Sequence, residues 1–238
     1  MKSIVLASLL ALSGMTLNAT LLSTLLLPGG SLTNGNLTID NFEFTRTCGG
    51  IGVCAPLDAS GIDVTLVNNQ IRFAGGFTAL SNGGFASADF VIAYDLSVNP
   101  LFPALGAVGL LFNGAVVGDQ SFAEVVETVI GTVPFLHVAG QAQVEAPGGP
   151  LADIAILDGP YRDLRIIKDI FLVGSDTEGL GYATISLIDQ FYAGVGVDPF
   201  CVGDECEVVP EPAAYGLIGS ALMGLYAVRR RKVNSRLL

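Results

Sequence analysis

The sequence predicts an all-β protein, an antiparallel β-sandwich of jelly-roll-like form, and three observations carry that prediction. Between residues 20 and 200, apolar and polar residues alternate in run after run with the period of a strand. Clusters such as SNGG, APGGP and GSDTEG separate the runs, and their residues favour tight turns. No helical periodicity alternates with the runs, which argues against a parallel α/β fold and leaves a closed barrel as the main rival. No repeat of fixed period is present, so a propeller or solenoid is not expected.

Along the chain, residues 1–19 come first. Lys2 precedes an apolar run from Ile4 to about Met15, and small or polar residues then end at Ala19. This is the layout of a secretory signal peptide, expected as a helix whose apolar core is short for a membrane span.

The body, residues 20–200, follows as one β-sandwich ectodomain. In NLTIDNFEFT (36–45), Leu37 and Ile39 share a face, and Phe42 and Phe44 continue after a one-residue shift, as a bulge would give. IDVTLV (62–67) alternates, and NNQ turns the chain into IRFAGGFTAL (71–80). Further strands are expected at 86–98, 121–131, 135–145, 163–174 and 182–193. The helical spacing of DLRIIKDIF is outweighed by its β-branched residues.

Composition bounds the function. The chain of 238 residues holds 51% hydrophobic and 14% charged residues with 30 glycines, which describes a packed core rich in turns. Residues 20–212 keep only Arg46, Arg72, Arg162, Arg165 and Lys168 against all 22 acids. Such a surface repels phosphate backbones, so DNA and RNA are not expected partners.

Four cysteines form two local pairs, Cys48/Cys54 and Cys201/Cys206. In an exported protein they read as two small disulfide loops. Free thiols and a four-thiolate zinc site are the alternatives; the intervening five and four residues and the lack of a nearby His favour zinc less.

Chemistry is sparse. His137 is the single histidine, and no Gly-x-Ser-x-Gly elbow, HExxH or phosphate-cradling loop accompanies it. Glu124 and Glu127 sit three apart in a strand and so face opposite sides; they read as an edge-facing pair that discourages aggregation, not as a catalytic pair. Asp198, Asp204, Glu205 and Glu207 could offer oxygen ligands to calcium, but their spacing is not that of an EF-hand, and an acidic stalk is the plainer reading. No catalytic residue, metal or cofactor is assigned, and the chain is expected not to be an enzyme.

The C-terminal segment carries the most information. After an acidic, Cys-containing linker (201–209) come Pro210, Glu211 and Pro212, an uncharged run from Ala213 to Val228, the cluster Arg229, Arg230, Arg231 and Lys232, and a short tail (233–238). As a helix the run is ~24 Å long at ~1.5 Å per residue, short but workable as a transmembrane span, and the cations stop transfer and stay cytoplasmic. The prolines hold the triplet extended, where an enzyme can grip it.

This order of parts resembles the PEP-CTERM sorting signal of Gram-negative bacteria over residues 210–232. The resemblance implies that an exosortase, a membrane-embedded transpeptidase-like protease, recognises Pro210–Pro212 after the export machinery has delivered the chain to the inner membrane. The tail VNSRLL departs from relatives that end soon after their arginines. More loosely, segments such as DFVIAYDLSV and ATISLIDQFYA resemble the uncharacterised ectodomains that carry this signal. Because that sorting system accompanies exopolysaccharide production, the resemblance implies an exported cell-surface or matrix protein with a structural or interaction role in biofilm. A carbohydrate-binding or calcium-dependent module, or a carbohydrate-active enzyme, are the alternative readings.

Overall fold

Eleven strands, all paired antiparallel, make up nearly the whole of the described chain. The computed structural model describes residues 19–56, 58–132 and 135–194. The strands are β1 (Thr20–Leu21), β2 (Leu32–Thr33), β3 (Leu37–Gly50), β4 (Val53–Ala55), β5 (Asp63–Val67), β6 (Gln70–Val98), β7 (Leu105–Val117), β8 (Phe122–Gly131), β9 (His137–Ala146), β10 (Ala152–Tyr161) and β11 (Asp163–Gly194). One turn of helix, α1 (Leu22–Leu25), and a 3-10 turn at Ala59–Gly61 are the helical pieces among the described residues. No described helix is long and apolar enough to cross a membrane. The expected signal helix and the span at 213–228 lie outside the described residues.

Two long strands organise the rest. Extended, the 29 residues of β6 would reach roughly 95 Å at about 3.3 Å per residue. Yet Phe73 near its start stacks beside Tyr94 near its end, with ring centroids 5.9 Å apart. The strand therefore folds over, and β11 folds with it. Residues 84–98 of β6 pair with 163–176 of β11, and residues 70–82 pair with 180–191. The first pair sits in a layer ordered β2-β3-β6-β11-β8-β9. The second sits in a layer ordered β1-β5-β6-β11-β7-β10, with β4 beside β6 as well. The result is an all-β sandwich whose two faces are continuous through shared strands.

The sequence expectation is corrected at both bends. SNGG was expected to end one strand and begin another, and GSDTEG likewise. In the fold the ladder runs through both sites, because Gly83 (φ 67°) and Gly84 (φ 154°) take backbone angles that bend a strand without ending it. Opposite them, β11 absorbs the bend by a register shift between Asp176 and Leu180. A side chain at Gly181 would strike the backbone of Ser175 at 2.4 Å, so this crossing needs bare backbone.

Five strands are absent from the sequence reading, the short β1, β2 and β4 and the longer β7 and β10. β7 is Gly- and Ala-rich and breaks strict alternation, since residues 107–110 are all buried. β10 contains Gly159-Pro160, which reads as a breaker, but its ladder to β7 is irregular between Ile156 and Tyr161, where a proline costs no hydrogen bond. The expected bulge in the first long strand is present, with a register shift between Asp40 and Glu43 and Asn41 at φ 49°.

Barrel closure is approached along one side. Edge strands β9 and β10 belong to different layers, yet a Cβ on Gly140 would stand 3.0 Å from the Leu157 side chain. Asp153 Oδ2 accepts the Gln143 backbone N–H at 2.9 Å, covering an edge donor of β9. The core between the layers is aromatic, with Phe77 edge-on to Phe90 at 5.2 Å.

Candidate functional site

Of the residues singled out from sequence, Cys48 and Cys54 are brought together as a disulfide where β3 turns into β4. No free cysteine occurs among the described residues. Pro210–Pro212, Arg229–Lys232, Cys201, Cys206 and the acids at 198–207 lie outside the described residues.

Glu124 and Glu127 do face opposite sides, but the edge reading is overturned, because β8 is paired on both flanks, by β11 and β9. Glu127 points inward and is wholly buried. Glu124 points outward and accepts the Gln143 side-chain amide. Two carboxyls on opposite faces of one sheet cannot converge on one bond.

On that outer face Glu124 joins Asp89 and Asp169. Burial, then the charge of Asp89 and a hydrogen bond with it, then the charge of Glu124, push the Asp169 carboxyl above its ordinary value. A carboxyl whose folded pKa is raised stabilises the fold most at low pH, and loses that stability as pH rises through the folded value. Asp169→Asn fixes the uncharged form. It should raise stability at pH 7–8 by roughly 0.2–1 kcal/mol, the scale of a cross-strand like-charge pair, with no gain at pH 3, as measured by urea unfolding at both pH values. Among the described residues, no group of acids, His and Cys could hold a metal ion.

The most developed polar constellation at the surface lies where β9 and β10 cross. His137 Nδ1 faces the Phe135 carbonyl oxygen at 2.8 Å, an acceptor, so this nitrogen carries a proton. Nε2 is 2.8 Å from the Tyr161 hydroxyl and 3.4 Å from Asp158 Oδ2. Tyr161 donates to Asp158 Oδ1 at 2.5 Å, which holds the phenol proton and raises its pKa. Gly131 makes room for the two rings, since a Cβ there would meet Tyr161 at 2.6 Å and His137 at 2.8 Å. Near the trio in sequence, Phe135, Val138 and Ile156 are largely exposed. The His partners are a phenol and a carboxylate, so no Ser-His-Asp relay is assembled here.

The cations of the described residues are spoken for. Arg72 holds Asp189, Arg165 bridges Glu43 and Asp95, Arg162 donates to the Asn99 carbonyl, Arg46 is engaged, and Lys168 is buried.

Comparison with known proteins adds one firm match. Residues 208–232 match the family model of the PEP-CTERM protein-sorting motif. No curated protein matches the sequence. Among solved structures, the carbohydrate-binding module TmCBM61 in complex with β-1,4-galactotriose is similar at 13% identity, covering 64% of this chain and 89% of that one, with a TM-score of 0.30. The enzymatically active domain of the bacteriophage CBA120 tailspike protein 4 is similar at 15% identity, covering 67% of this chain and 20% of that one, with a TM-score of 0.27. At such scores neither likeness bears on function.

Proposed function

We propose that this chain is an exported protein whose C-terminal motif hands it to an exosortase, and whose β-sandwich then acts without catalysis at the cell surface or in the extracellular matrix. The match of residues 208–232 to the PEP-CTERM protein-sorting motif carries this reading. In it, residues 1–19 start export, Ala213–Val228 hold the precursor in the inner membrane, and Arg229–Lys232 keep its end cytoplasmic. The Cys48–Cys54 disulfide supports delivery to an oxidising compartment. The acidic, cation-poor domain then takes a structural or interaction role beside exopolysaccharide.

Glu211→Ala tests the sorting step. The triplet keeps both prolines but loses its charge, so pulse-chase labelling should show the full-length precursor accumulating in the membrane fraction. Processing at the wild-type rate would reduce the triplet to a stalk.

A second reading, a sugar-binding module, is favoured by one observation: Phe135, with an exposed side chain, lies two residues from His137 and meets it through its carbonyl, and His137 joins Tyr161 and Asp158 in a polar trio. An apolar ring next to convergent hydrogen-bonding groups is what saccharide recognition uses. On this reading Phe135→Ala should weaken retention on the producing cell's own exopolysaccharide roughly three- to tenfold, the scale of one aromatic contact. Equal retention of both proteins in affinity electrophoresis would remove it.

A further inference from the structure

Inside the sandwich, Lys168 of β11 and Glu127 of β8 are direct cross-strand partners. Both side chains are fully buried, and Lys168 Nζ lies against Glu127 Oε2. Apolar side chains flank the pair along and across the strands, Ile166 and Ile170 beside Lys168, Val125 and Val129 beside Glu127, and Ile92 and Ala142 on the neighbouring strands. Asp189 acts on Lys168, and the buried Tyr94 and Tyr192 interact with Glu127. An ammonium has three donors and a carboxylate roughly four acceptor positions. Here the pair makes one contact, and Glu127 Oε1 has no hydrogen-bond partner. As a charged pair it is badly under-solvated. Burial pushes the amine down and the carboxyl up, toward the neutral forms of both.

In its neutral form such a pair, an amine held against a carboxylic acid away from water, is the reactant pair of an amide condensation. We propose that Lys168 and Glu127 join in an intramolecular isopeptide bond that staples β8 to β11. The Nζ lone pair attacks Glu127 Cδ, forming one N–C bond. One Cδ–O bond then breaks, and that oxygen leaves as water with the protons shed by Nζ and carried by the acid. Nothing is oxidised or reduced, so no co-reactant is required. The fold supplies proximity and exclusion of water, the two factors that speed such a step. The product amide carries no charge, which removes the cost of two buried ions.

The bond links residues 41 apart in sequence. It depends on folding alone, not on export, so its outcome is separate from that of the sorting reading. Full-length protein is purified, reduced, denatured and digested, and the peptides are mapped by tandem mass spectrometry. The expected result is a branched peptide joining the segments that contain Lys168 and Glu127, lighter than their sum by one water. Lys168 Nζ should resist acetylation in denaturant, and wild type should migrate faster than Lys168→Met on a denaturing gel. Unlinked peptides with an acetylatable Lys168 in the wild type overturn the proposal. A branch from Lys168 to the buried Gln190, with loss of ammonia, also overturns it, because the acyl partner would then be an amide. The wild-type map decides the matter even where the variants fail to fold.

Discussion

Lys168→Met is expected to destabilise the domain by about 3–5 kcal/mol, because it strands the Glu127 carboxyl in the interior without the lysine, whether the two are joined or only in contact in the wild type. The substitution keeps much of the volume, so packing contributes little to the loss. What it leaves is the Glu127 carboxyl buried between Val125 and Val129 with no amine partner. The effect should depend on pH. With Lys168 gone, burial still raises the folded pKa of Glu127, the largest influence on that group. The variant therefore keeps most of its stability below the ordinary carboxyl value and loses it as pH rises toward the raised one. Lys168→Met combined with Glu127→Leu removes the stranded carboxylate and should recover that part of the loss together with the pH dependence that Glu127 contributes. Urea midpoints of the three proteins at pH 4 and pH 8 check all of this. A single variant as stable as wild type at pH 8 would mean that Glu127 reaches water.

Phe90→Ala carries the next largest effect, about 3–5 kcal/mol for a fully buried aromatic. Phe90 is 0% exposed, stacks with Phe44 at 6.4 Å and meets Phe77 edge-on at 5.2 Å. Phe77 and Phe90 lie on opposite sides of the β6 bend, so their contact holds the two layers together. Phe90→Leu keeps most of the volume and should forfeit mainly the ring-on-ring contribution, about 0.5–1.5 kcal/mol per pair. A shift in urea midpoint at constant m-value identifies the loss as native-state packing. If the alanine variant lost no more than the leucine one, Phe90 would not bridge the layers.

Much of this architecture was legible in the chain. Alternation placed Leu164, Ile166, Lys168, Ile170 and Leu172 on one face, and the structure buries all five. Glu127 shares a face with Val125 and Val129 by the same rule and is buried with them, but reading it with Glu124 as an edge pair passed over this. What alternation could not show is that those two inward charges share a register, because pairing of β8 with β11 is a long-range choice. The local cysteine pair at 48 and 54 was readable because its loop is short. His137 was readable only as a lone residue, since Tyr161 reaches it by the crossing of β9 and β10 between layers. The continuous β6 and β11 were misread because glycine signals a turn and a bend alike, and only the ladder opposite tells them apart.

The C-terminal signal stands apart from this folding problem. Its information lies in the order of a Pro-Glu-Pro triplet, an apolar run and a cation cluster, which needs no tertiary structure to be read. The most direct test is therefore the C-terminus of the protein recovered from outside the cell, read by peptide mass spectrometry. The mature chain should retain the β-sandwich and lack Arg229–Lys232. Extracellular protein ending at Leu238 would contradict this expectation.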